Sequence, residues 1–138
     1  MPRNEFYSQE KNTDCFVIAV ANCLVYLKKE VPDLEVARDV AACRHGGAIY
    51  RQETVDYMKA PLRETEDAEE VLEKGGTISI LHPIFNGHHI FVHPSKKYHV
   101  IMVNSWLGPN VIEVANSEIR PFIRNNFGKH WVIECGTR

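Results

Sequence analysis

Residues 9–28 read Gln-Glu-Lys-Asn-Thr-Asp-Cys-Phe-Val-Ile-Ala-Val-Ala-Asn-Cys-Leu-Val-Tyr-Leu-Lys. Within them Val17, Val20, Ala21, Leu24, Val25 and Leu27 recur at steps of three and four, which predicts a helix over about 14–29 with one broad apolar face. Thr13 and Asp14 are good N-cap residues. Cys15 then falls in the first turn, where unpaired N–H groups and the positive end of the helix dipole favour a thiolate over a thiol. Such a position makes a nucleophile of a cysteine. A free cysteine by itself is more often a small core residue, so the residues downstream have to decide the matter.

The chain has 138 residues, 44% hydrophobic and 25% charged, an ordinary balance for one globular domain over 1–138. A formal net charge of −2 gives no basic field for nucleic acid. No apolar run is long enough for a membrane span, and the first ten residues are polar without a signal core, so a soluble, cytoplasmic protein is expected. The four cysteines, Cys15, Cys23, Cys43 and Cys135, include no CxxC pair, and disulfides are not expected. Cys23 and Cys43 read as core.

Residues 1–8 read as an irregular arm. Asp33 predicts the cap of a second helix reaching about Arg44, closed by Gly46-Gly47. A third is expected from about Gln52 to Lys59, and a fourth opening at Thr65 and ending at Gly75-Gly76. The character then changes. Strands are predicted at 77–82, 89–93, 98–103, 111–116 and 129–135, with a helical turn near 121–127. Helices first and strands afterwards indicate an α+β domain with a mostly antiparallel sheet.

A thiol nucleophile needs a base, a group that holds the base, and donors for an oxyanion. His99 begins a predicted strand and Asn116 ends the next. In a hairpin the two are neighbours, and the Asn side chain can fix the imidazole tautomer. Gln9 stands six residues before Cys15. Its amide and the Cys15 backbone N–H suit an oxyanion hole.

Gln9, Cys15 opening an apolar helix, His99 opening a strand and Asn116 ending the next resemble, in that order, the papain-like cysteine peptidases. The short chain and Asp14 directly before the cysteine are most similar to the double-glycine leader peptidases of bacteriocin exporters and their stand-alone relatives. The resemblance implies a papain-like fold with the N-terminal helix packed on the sheet. It implies Cys15 as nucleophile, His99 as general base and then acid, Asn116 as its orienting partner and Gln9 at the oxyanion. A peptide or protein substrate and no cofactor or metal are implied. Phe16 stands where leader peptidases usually have Gly, and Asn116 where they normally carry an acid. Phe16 and the 82–93 segment are expected to crowd the cleft and favour a small residue beside the cleaved bond.

Three alternatives stay open. The same triad can pass the acyl group to an amine or thiol, as an acyltransferase. A catalytically silent domain of this fold can bind a peptide. His82, His88, His89, His93 and His99 form a cluster that zinc could use; its spacing fits no standard motif, and a polar loop beside the cleft is the preferred reading. His130 comes too late in the order to be the base. Asp14 is expected to cap the helix rather than meet a substrate amine.

Overall fold

The computed structural model describes residues 5–8, 14–43, 48–80, 88–95, 100–103, 111–115, 117–123 and 129–134. Among them run helices α1 (Cys15–Tyr26), α2 (Leu34–Ala41) and α3 (Arg51–Met58), strand β1 (Leu62–Thr65), helix α4 (Ala68–Lys74), strands β2 (Gly76–Ile80), β3 (His88–Pro94), β4 (Val100–Val103) and β5 (Val111–Val114), helix α5 (Ile119–Phe122) and strand β6 (His130–Ile133). The strands form one antiparallel sheet in the order β1-β6-β2-β3-β4-β5. This is the expected α+β class.

The sheet has two covered faces. Side chains alternate along a strand, so Phe91 of β3, Trp131 and Ile133 of β6 and Leu62 of β1 meet α1, behind which lie Ala37 and Ala41 of α2 and Val55 and Met58 of α3. Ile78 and Ile80 of β2, Ile90 and Val92 of β3 and Val132 of β6 meet Val71 and Leu72 of α4 and Ile119 of α5. Helix α1 is therefore the central slab of a helical layer. Every residue from Cys15 to Val25 is buried, so the apolar face expected of it is an apolar circumference. Its one internal amide is fully used. Asn22 accepts from the Tyr7 N–H at 2.7 Å and donates to the Tyr7 carbonyl at 3.3 Å, fastening the N-terminal arm. Phe6 of that arm packs on Phe91, with ring centroids 5.8 Å apart.

The helix ends follow local chemistry. Asp33 caps α2, accepting from the Glu35 and Val36 N–H groups at 2.8 and 3.4 Å. The helix stops earlier than expected because Ala42 turns left-handed, φ 52°. Asp67 caps α4, so that helix starts after Thr65 rather than at it. Residues 62–65 form instead an edge strand that the sequence pattern conceals. Leu62 is its single buried residue, while Arg63 and Glu64 are exposed. Charged edge strands resist pairing with other chains.

Gly76 is where the sheet closes. At φ +148°, a Cβ there would lie 2.0 Å from the Trp131 carbonyl oxygen. Only glycine lets β2 approach β6 so closely, and this approach brings the C-terminal strand between β1 and β2.

Candidate active site

Cys15 is the first residue of α1, and it points into the helical side of the sheet with 8% of its surface exposed. Asp14 stands at the cap position but its side chain makes no cap hydrogen bond. Its fully buried carboxylate faces α2, where Arg38 donates from Nε and ion-pairs through Nη2, each at 2.9 Å to Oδ2. The expected capping role is thus replaced by a tie between two helices. The cause is burial: a carboxylate removed from water needs a full countercharge, which a pair of helix N–H groups does not supply.

The backbone dipoles of His89 and Phe16 and the charge of Arg51 favour the thiolate of Cys15. Burial outweighs them and pushes the thiol above its ordinary range, with Asp14 adding to the rise. Burial thus works against the thiolate that a helix N-terminus favours. Cys23 is fully buried, and burial holds its thiol well above the ordinary value, as suits a core residue. Cys43 is half-buried beyond the end of α2, and is pushed up to about 11 by burial first and then by the charges of Asp14 and Cys15.

Beneath Cys15 lies a floor of rings. Phe16 is 1% exposed and meets His89 and Trp131 edge-on, with centroids 4.9 and 5.8 Å away. Its side chain is turned inward, which removes the reason for expecting it to crowd a cleft. His89 is fully buried, with Nε2 2.6 Å from Thr77 Oγ1, and burial holds it well below the ordinary imidazole value. His130 accepts the Ser79 backbone N–H on Nδ1 at 3.3 Å and is also lowered by burial. His93 stacks on Tyr26 at 4.4 Å. His88, His89 and His93 are buried strand residues of β3 and do not form the polar loop expected of them. The sequence missed this because three histidines among six residues look polar, whereas neutral imidazoles pack well on rings. Among the described residues no three His, Cys, Asp or Glu side chains gather as metal ligands.

Of the four residues assigned chemistry from sequence, Cys15 is described here. Gln9, His99 and Asn116 lie outside the described residues, as do His82 and Cys135. The register of β4 and β5 sets Val100 opposite Val114. Val100 is the residue after His99, and Val114 stands two before Asn116.

Arg51 is the feature that sequence reading overlooked. It opens α3, where a cation opposes the helix dipole, and that mismatch was its one available signal. Its guanidinium lies 5.5 Å from the centroid of the Phe16 ring, within cation–π range.

With this geometry in view, two solved structures share the fold. The peptidase domain of Streptococcus ComA, a bifunctional ABC transporter involved in quorum sensing, superposes with a TM-score of 0.70 at 12% identity, covering 94% of this chain and 96% of that one. A double-glycine-motif protease from an AMS/PCAT transporter, solved with its leader peptide, superposes with a TM-score of 0.62 at 17% identity, covering 95% and 91%. The chain has the papain-like fold of these peptidase domains. No family model matches the sequence, and no curated protein matches it. No helix among the described residues is long and apolar enough to cross a membrane.

Proposed function

We propose that the protein is a cysteine peptidase or amidase that cleaves a peptide or amide bond through an acyl-enzyme on Cys15. The observation that carries this reading is the placement of Cys15. It is the first residue of a helix buried on every side, and the surrounding fold is that of peptidase domains.

Burial disfavours the thiolate, so a base takes the proton as attack begins. His99 is assigned that role, with Asn116 holding its tautomer, on their order in the chain after Cys15. The sulfur bonds to the carbonyl carbon while its proton passes to His99. The oxyanion that forms is met by the Cys15 backbone N–H and the Gln9 amide. Collapse breaks the C–N bond, and His99 gives its proton to the leaving amine. Water, deprotonated by His99, then cleaves the thioester and restores the thiol. The backbone dipoles of His89 and Phe16 suit the thiolate released in that last step. Peptides are the substrate class, in keeping with the leader peptide bound by the AMS/PCAT protease.

The test is hydrolysis of a mixed peptide library followed by mass spectrometry. Cleavage is expected from the parent protein and not from Cys15→Ala. Cleavage that survives in Cys15→Ala overturns the proposal. Adding an amine acceptor to the same assay separates hydrolysis from acyl transfer.

A further inference from the structure

Arg51 is a partly buried guanidinium seated on the ring of the residue that follows Cys15. Arginine carries five donors in a fixed fork and cannot shed its charge. Among the described residues that fork has neither a hydrogen bond nor an ion pair, and it lies over the Phe16 ring. Arg38, also partly buried, is committed to Asp14, and even the exposed Arg63 is paired, with Glu70 and Glu134. Arg51 also stands at the wrong end of its helix for a cation. Its charge reaches the site, being felt at both Cys15 and His89. Ile49 and Tyr50, just before it, are about half exposed, at 51% and 50%, so the approach to Arg51 is open from that side. A local rule broken without a compensating partner in the free protein is characteristic of a functional position.

We propose that Arg51 binds a carboxylate of the substrate beside the bond that Cys15 attacks, so that this site takes peptides with an acidic group at or next to that bond. This rests on the cysteine-peptidase reading for the reaction, but carboxylate binding itself can be measured without turnover. A planar carboxylate matches the guanidinium fork through two parallel hydrogen bonds. The Phe16 ring holds the fork in place from below, and the ring is itself fixed between His89 and Trp131. The acidic group is either a Glu or Asp side chain or the free C-terminus of a peptide; both present the same chemistry.

The experiment compares alkylation of Cys15 by iodoacetate, which carries a carboxylate, with alkylation by neutral iodoacetamide. Rates are mapped to each cysteine by mass spectrometry in the parent protein, Arg51→Lys and Arg51→Gln. The ratio of the two rates cancels any effect of Arg51 on the acidity of Cys15. At Cys15 the ratio is expected to exceed that at Cys43 in the same molecule, and to fall about tenfold in Arg51→Gln, the order of one charge-assisted hydrogen bond. Arg51→Lys is expected to fall between. An equal ratio in the parent and Arg51→Gln overturns the proposal. A second arm identifies the source. Protection of Cys15 from iodoacetamide is measured with an amidated peptide containing Glu and with a Glu-free peptide ending in a free carboxylate. Protection by one that is lost in Arg51→Gln assigns the source, and protection by neither overturns the proposal for peptides. If Cys15 reacts with both reagents no faster than Cys43, the peptidase reading fails, while the ratio still reports whether Arg51 holds a carboxylate.

Discussion

The two faces of the sheet are built from different materials. On the α4 face the packed hydrophobic residues Ile78, Ile80, Ile90, Val92, Val132, Val71 and Leu72 are all aliphatic, and the strands add the buried His88 and His130. On the α1 face the same strands present Thr77, Ser79, His89, His93 and Trp131, and the helix above brings Asp14, Cys15 and Asn22, all buried. Polar groups cost free energy to bury unless they are bonded, and here several are bonded: Asp14 with Arg38, Asn22 with the Tyr7 backbone, and His89 with Thr77. The difference teaches that one face supplies cohesion and the other spends some of it on holding chemical groups at fixed positions.

Substitutions on the two faces should therefore fail in different ways. The largest effect is expected at Cys15: Cys15→Ala should lower peptide cleavage by at least about a thousandfold, since removal of a nucleophile removes the whole pathway, with little change in the urea midpoint. Arg38→Ala comes next. It strands the fully buried Asp14 carboxylate, and should cost about 3–5 kcal/mol in urea unfolding; a loss under about 1 kcal/mol would mean that the pair is not a tie between α1 and α2. On the α4 face, Leu72→Ala should cost about 2–5 kcal/mol while the folded fraction alkylates at Cys15 at the parent rate. A changed rate would show that the faces are not independent.

The smallest effect is expected from acid. Burial lowers His89, His93 and His130 below the ordinary imidazole value. The unfolded chain binds their protons near pH 6.5 and the folded chain does not, so their contribution is full above about pH 6.5 and is lost as pH falls through it. A drop in the urea midpoint between about pH 7.5 and 5.5 is expected, and His89→Gln should make it shallower. A flat profile would mean that these imidazoles accept protons in place. Ser79 gives a local check, because its N–H bond requires an unprotonated Nδ1 on His130.

Much of this was legible in the chain. The strands 76–80, 88–94, 100–103, 111–114 and 130–133 all overlap the expected ones, and Asp33 and Gly75 mark helix ends by chemistry local to each. Cys15 at a helix start was equally plain. What escaped depends on partners far away in sequence. Strand 62–65 has one apolar residue and exists because β6, almost seventy residues later, pairs with it. Helix α1 looks one-sided until α2 and α3 cover its other flank. Asp14 has the residue type of a cap, but Arg38 competes for it and wins. The loss of acidity of the Cys15 thiol follows from burial, which no spacing of residues reveals, and Arg51 reaches the site only through the fold. Gln9, His99 and Asn116 were assigned by their order in the chain, and their roles are for experiment to decide.

The most direct measurement is labelling with a peptidyl vinyl sulfone, read by intact mass and peptide mapping in the parent protein and in His99→Ala. One adduct on Cys15 is expected, with none on Cys23 or Cys43, and labelling should collapse in His99→Ala. Adducts spread over the cysteines in proportion to their exposure, or Cys15 labelling indifferent to His99, would contradict the assignment of Cys15 as a base-activated nucleophile.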